Sequence, residues 1–139
     1  MIEKYLWIAA SAIYLILGCL HLLYTFSGKK LFPRDDKLIK DMQNVSPVIS
    51  KKTTIWKTWI GFNASHSLGV IFFALVNIIL AAPYFGVLKD SYLLQLFTIS
   101  TSLFYFFLGI KYWFRVPATG ITIASLLYIL AFIMPLIKR

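Results

Sequence analysis

The sequence predicts an all-α fold, a polytopic integral membrane protein in which four transmembrane helices form one bundle. Three observations predict it. Of the 139 residues, 60% are hydrophobic and 14% are charged, whereas a soluble domain is usually about 45–50% apolar. Four stretches have the ~20 apolar residues that a helix needs to cross ~30 Å of hydrocarbon. Within each stretch, polar residues recur at helical spacing. We therefore treat residues 1–139 as a single transmembrane domain.

The four predicted spans follow one another along the chain, and their ends carry helix signals. Asp90 and Ser91 can cap the third span, and Pro117 suits the first turn of the fourth. Tryptophan and tyrosine side chains lie near the span ends, as interfacial anchors do. The spans cover residues of about 5–26, 58–82, 91–114 and 117–137.

The connection between the first two spans, residues 27–57, is long and basic. Asp35 can cap a short helix in it, which the pair Ser46-Pro47 would end. We expect this helix to lie on the lipid surface, and the alternative is a solvated linker with one helical turn. Its apolar face would consist of Leu38, Ile39, Met42 and Val45.

The basic residues predict the orientation. The chain has 14 Lys and Arg against 5 Asp and Glu, a formal net charge of +9. Ten of the 14 basic residues fall in or beside the first and third connections, so the positive-inside rule places these connections in the cytoplasm and both termini outside. The predicted partner of the basic loop is anionic lipid headgroups, at about 1 kcal/mol per basic residue. Nucleic acid is not an expected partner, because the sequence shows no basic surface with interspersed aromatic side chains on which bases could stack.

A polar stripe runs along each span at offsets of three and four residues, which predicts the faces turned away from lipid. The first three spans carry stripes with several polar members, and the fourth is weaker. The stripes are Ser11, Tyr14, Gly18, His21 and Thr25; Asn63, His66, Val70, Phe73 and Asn77; Gln95, Thr98, Ser102, Tyr105, Gly109 and Tyr112; and Ile121, Ser125, Tyr128 and Phe132.

Small residues form a ridge next to the second stripe. Gly61, Ser65 and Gly69 are four residues apart, so another backbone can approach them closely. We expect this ridge to serve helix packing within the bundle, with a homo-oligomer contact as the alternative.

The two histidines are the sharpest chemical feature. Counting from Phe26 and Trp59, near the cytoplasmic ends of their spans, His21 and His66 lie about 7.5 Å and 10.5 Å inside the membrane. Both are on polar stripes of adjacent helices and could face one another, with Asn63 orienting an imidazole or a ligand. The further candidates for lining a ligand pocket here are Tyr24, Ser65, Tyr105 and Tyr112.

Three functions fit this pair. The first is binding of a lipophilic small molecule or lipid near the cytoplasmic leaflet, with the histidines at its polar end. The second is a structural or assembly role, in which both neutral imidazoles hydrogen-bond between helices. The third is bis-imidazole ligation of haem b by His21 and His66.

Missing residue types narrow the functions further. No Asp or Glu lies inside any predicted span, and proton relays and cation-coupled transporters usually require one. Cys19 is the single cysteine, which excludes an internal disulfide and a thiolate cluster for zinc. We expect no metal site apart from the haem alternative. No nucleophile–base pair can be named, so the sequence leans against an enzyme without identifying any reaction.

Three segments resemble a family of small bacterial four-span membrane proteins that has no assigned activity. The segments are His21–Tyr24, Leu31–Asp35 and Trp56–Gly69, of which the last is the most specific. The resemblance covers about the first half of the chain closely and the rest through span pattern. It implies a four-span fold in a bacterial inner membrane and directs attention to the histidine-bearing segments. Similarity to DoxX-like proteins is at the level of fold only.

Overall fold

The computed structural model describes residues 1–137, and this part of the chain is all α-helical, with no strand. Four of its helices are long and apolar enough to cross a membrane. Their ends differ from the predicted span ends by a few residues, and Lys138 and Arg139 lie outside the described residues. The helices are α1 (Ile2–Phe26), α2 (Asp36–Asn44), α3 (Ile55–Ala81), α4 (Phe85–Asp90), α5 (Tyr92–Tyr112) and α6 (Arg115–Ile137).

Two helices begin directly after a residue whose side chain caps the first turn. The Asp35 carboxylate accepts a hydrogen bond from the backbone N–H of Lys37 at 2.8 Å, so the predicted loop helix forms as α2. The Ser91 hydroxyl accepts from the backbone N–H of Leu94 at 3.3 Å and caps α5. In both cases the cap satisfies a backbone donor that the first helical turn cannot pair internally.

The short helix α4 was not predicted from the sequence. This helix has six residues and follows Ala82-Pro83, which indicates a loop. It is too short to show a helical period.

The structure divides into two compact units. The first comprises Met1–Leu17 together with the chain from Val70 onward, and the second comprises Gly18–Gly69. Helices α1 and α3 each contribute residues to both units.

Aromatic rings and small residues build the core of the first unit. Trp7 packs edge-on against Tyr128 with ring centroids 4.8 Å apart, and Tyr14 packs against Phe73 at 5.2 Å. Alanines, among them Ala74, are fully buried between such rings. Helices α5 and α6 approach closely where a Cβ added to Gly109 would lie 3.5 Å from the Ala118 Cα atom. Large and small side chains thus alternate to give a dense core.

Most members of the predicted polar stripes that fall in this unit are buried, and several of them pair across helices. Asn77 of α3 accepts hydrogen bonds through Oδ1 from Trp7 Nε1 at 2.9 Å and from Thr98 Oγ1 at 3.0 Å. Elsewhere, the hydroxyls of Tyr14, Ser102 and Ser125 form a chain with O···O distances of 2.8 and 2.7 Å. Throughout residues 1–137, every side-chain nitrogen or oxygen that is fully shielded from solvent has a hydrogen-bond partner. The stripes therefore fasten helices to one another inside the apolar unit.

Candidate functional site

The two histidines lie together in the second unit. The centroids of the His21 and His66 rings are 5.6 Å apart and their planes are inclined by 76°, so one ring meets the other edge to face. His21 Nε2 is 3.0 Å from Asn63 Oδ1. All three side chains are partly buried. The continuous helices α1 and α3 fix their backbones, because His66 is three residues after Asn63 on one face of α3.

Asn63 determines which nitrogen of His21 carries the proton. Its amide nitrogen Nδ2 donates to the Trp59 carbonyl at 2.8 Å, so Oδ1 is the atom that faces His21. Because that oxygen can only accept, His21 Nε2 is the donor and the neutral ring keeps its lone pair on Nδ1. His21 thus presents an oriented acceptor, while the Thr25 hydroxyl binds the His21 carbonyl oxygen at 2.8 Å.

The haem alternative places demands on this geometry. Bis-imidazole ligation needs a ring nitrogen of each histidine on the iron. In the structure His21 Nε2 is engaged with Asn63, and the two rings meet at an angle with centroids 5.6 Å apart. Ligation would therefore have to use His21 Nδ1 or require His21 to leave Asn63, and in either case both rings would have to reorient.

Two predicted pocket residues of the second unit point elsewhere. The Tyr24 ring lies under the Lys30 ammonium, with Nζ 4.1 Å from the ring centroid. Ser65 is exposed, and its hydroxyl donates to the carbonyl of Phe62 in its own helix at 3.0 Å. Phe62, which the sequence analysis did not single out, stacks parallel to His66 with centroids 6.3 Å apart. The sequence could have indicated this contact, because Phe62 lies about one helical turn before His66.

The remaining predicted pocket residues, Tyr105 and Tyr112, belong to the first unit. Tyr105 packs against the rings of Tyr14 and Phe73, at centroid distances of 5.8 and 6.3 Å. Tyr112 is 65% exposed, and the Lys111 ammonium lies 5.2 Å from its ring centroid. Tyr105 is thus a core residue and Tyr112 a surface residue.

The small-residue ridge does not serve internal packing, which corrects the expectation for it. Gly61, Ser65 and Gly69 are all exposed. A Cβ atom added at either glycine would have no atom within 4 Å. Spacing alone predicted a close helix contact, but it cannot tell whether a ridge faces a neighbouring helix or the outside.

An aromatic cluster marks the start of α3. The Trp56 and Trp59 rings stack with centroids 5.3 Å apart, and Phe32 meets Trp56 edge-on at 4.8 Å. This contact ties the beginning of the loop to α3. Farther along the loop, Val48 and Ile49 are almost fully exposed although both are apolar.

Two cavities formed by the described residues lie away from the histidines. One, of about 380 Å³, is in the second unit between Lys29, Phe32 and Arg34. The other, of about 330 Å³, is in the first unit and includes Trp7 and Gln95 in its walls. His21, Asn63 and His66 line neither of them.

Comparison with protein-family models, with curated protein sequences and with solved structures gives no match to this chain. The likeness to small bacterial four-span proteins therefore stays a prediction.

Proposed function

We propose that this chain is a multi-pass protein of a bacterial inner membrane that binds a lipophilic small molecule or lipid near the cytoplasmic leaflet. The observation that carries the proposal is the hydrogen bond from His21 to Asn63 beside the His66 ring. In this arrangement a polar acceptor is fixed inside a predicted transmembrane helix pair. Polar groups at that depth are expensive in lipid and are mostly functional.

The proposed ligand meets this site with its polar end. His21 Nδ1 accepts a hydrogen bond in the neutral ring, and either imidazole donates one when protonated. The apolar body of the ligand would lie along the surface of α3, against the exposed ring of Phe62. Because the histidines are only partly buried, such a molecule can reach them laterally from the lipid.

The basic loop completes the proposal. In the proposed orientation α2 and the following segment lie at the cytoplasmic surface, where their lysines attract anionic headgroups. The exposed Val48 and Ile49, followed by Lys51 and Lys52, have the mixed apolar and basic character of an interfacial segment. This arrangement would concentrate anionic lipid beside the histidines.

Mass spectrometry of molecules that co-purify with the protein tests the binding site. We expect a lipophilic species with the unaltered chain, retained in Ser65→Ala and lost in His66→Ala. Ser65 is the matched control because it adjoins His66, yet its hydroxyl bonds only its own helix. Retention in a His21→Ala/His66→Ala double variant, or no co-purifying species at all, would overturn the proposal.

The orientation has its own test. In a Cys19→Ser background, a cysteine introduced by Gln43→Cys lies on the exposed surface of α2. A membrane-impermeant maleimide should label it in inverted vesicles and leave it unlabelled in intact spheroplasts. The reverse pattern would place the loop outside.

The second candidate is a structural role, which the same hydrogen bond favours. If His21 and Asn63 only fasten α1 to α3, each bond contributes ~0.6 kcal/mol. Histidine variants would then lose this stability, and the set of co-purifying molecules would be the same as for the unaltered chain.

A further inference from the structure

The cavity of the first unit has a volume of about 330 Å³ and walls from α1, α4, α5 and α6. Aromatic side chains form much of its surface, and the Tyr92 ring meets the Phe132 ring edge-on at 6.3 Å. The most buried wall residues are Trp7, Leu88, Gln95 and Ala131. A concave site with aromatic walls and a few fixed polar groups is typical of small-molecule binding.

Gln95 supplies the first polar group. The side chain is 9% exposed, and its Nε2 donates to the carbonyl oxygens of Leu88 at 2.9 Å and Lys89 at 3.0 Å. These two bonds use both amide hydrogens and fix the side chain. Its Oε1 accepts from none of the described residues, so it remains an oriented acceptor in the cavity wall.

Pro135 creates a second acceptor. It lies inside α6 and has no backbone N–H. The carbonyl of Ala131, four residues earlier, therefore lacks the donor that a regular α-helix supplies. Ala131 and Pro135 both line the cavity.

The buried wall has no donor to offer in return. Trp7 Nε1 is already bound to Asn77 Oδ1 at 2.9 Å. At the rim, the Glu3 carboxylate pairs with the N-terminal ammonium at 2.8 Å, and Lys89 adds a positive charge. The other donors in the lining, the Lys89 ammonium and the Tyr92 hydroxyl, belong to exposed residues. The buried wall therefore presents acceptors, which suit the O–H of a neutral ligand better than an anion, and the positive charge of Lys89 disfavours a cation.

We propose that this cavity binds a neutral lipophilic alcohol or phenol, with its hydroxyl donating to Gln95 Oε1 and its apolar body against the aromatic walls. This site is independent of the histidines and of the function proposed for them.

Fluorescence quenching with two matched probes tests the proposal. 4-Bromophenol carries the hydroxyl donor, and 4-bromoanisole has a methyl ether in its place. In a protein reconstituted in nanodiscs with Trp56, Trp59 and Trp113 all changed to Phe, only Trp7 emits. We expect saturable quenching by the phenol at concentrations about tenfold lower than by the anisole, the factor that 1.4 kcal/mol of binding free energy gives.

Probe dissolved in the lipid can also quench tryptophan, so a second variant that retains only Trp113 serves as the control. Its fluorescence should show no preference for the phenol over the anisole. Equal quenching of Trp7 by both probes would overturn the proposal, and so would an equal preference at Trp113.

Two substitutions examine the wall itself. Gln95→Met should abolish the preference for the phenol, and Ala131→Leu should weaken binding of both probes by narrowing the cavity. Because Gln95→Met also removes the bonds to α4, Ala131→Leu is the variant that leaves those bonds in place. Unchanged phenol quenching in either variant, with normal circular dichroism, would overturn the proposal. The His21→Ala/His66→Ala double variant should quench like the parent protein.

Discussion

Asn77 offers the most stringent test of how polar pairing holds the helices together. Its side chain is 3% exposed and joins three helices, because Oδ1 accepts from Trp7 of α1 and Thr98 of α5 while Nδ2 donates to its own α3 at Phe73. Asn77→Leu keeps the size of the side chain and removes the acceptor. Two buried donors then lose their partner.

The expected loss follows from these contacts. Thr98 can turn its hydroxyl to a carbonyl of its own helix, so its share is about one interhelical bond, ~0.6 kcal/mol. The indole N–H of Trp7 has no alternative acceptor of this kind, and an unpaired buried donor costs ~1–3 kcal/mol. We therefore expect Asn77→Leu to lower the free energy of unfolding by about 2–4 kcal/mol.

Reversible unfolding by SDS in mixed micelles, followed by circular dichroism, measures this quantity. A double-mutant cycle with Trp7→Phe isolates the indole bond and should give a coupling of ~0.6–1.7 kcal/mol. A coupling indistinguishable from zero, or an Asn77→Leu protein as stable as the parent, would refute the reasoning.

Further predictions concern matched positions. Thr98→Val should lower the free energy of unfolding in the same SDS assay by ~0.6 kcal/mol, whereas Thr101→Val, whose hydroxyl bonds Phe97 in its own helix, should leave it unchanged; equal effects would contradict the assigned pairing. Gly109→Leu should destabilise by ~1–3 kcal/mol because it meets the Ala118 backbone, and Gly61→Leu, in open space, should not. A haem-supplemented preparation should show no Soret band, and such a band, lost in His21→Ala, would reverse our preference for a lipophilic ligand.

The four long helices could be predicted because an apolar run of more than 20 residues leaves few other folds. The burial of Ser11, Thr98 and Ser125 was also predictable, since offsets of three and four define one helix face. The pairing of these faces was not, because Tyr14 and Ser102 are 88 residues apart in the chain.

The candidate site was predicted less completely. His21, Asn63 and His66 have a shared depth and lie on polar stripes, and the structure brings them together. Tyr105 and Tyr112 share a polar stripe, but a shared stripe fixes neither the burial of a side chain nor its neighbours around the helix. Gln95 lies on a predicted polar stripe, but its meeting with Pro135 in the wall of the first-unit cavity could not be predicted, because the two residues are 40 positions apart and belong to different helices.

Lys4 joins the start of α1 to the end of α3, and this contact has a consequence for membrane insertion. Its ammonium donates to the Ala82 carbonyl, just past the end of α3, at 2.8 Å across 78 residues of sequence. A cation there satisfies a carbonyl at the negative end of the α3 dipole. In the proposed orientation the ammonium crosses the membrane with the amino terminus and finds this acceptor only after α3 has been inserted. The amino-terminal turn is therefore secured late, and in an assembly intermediate that holds α1 alone the Lys4 ammonium lacks this acceptor.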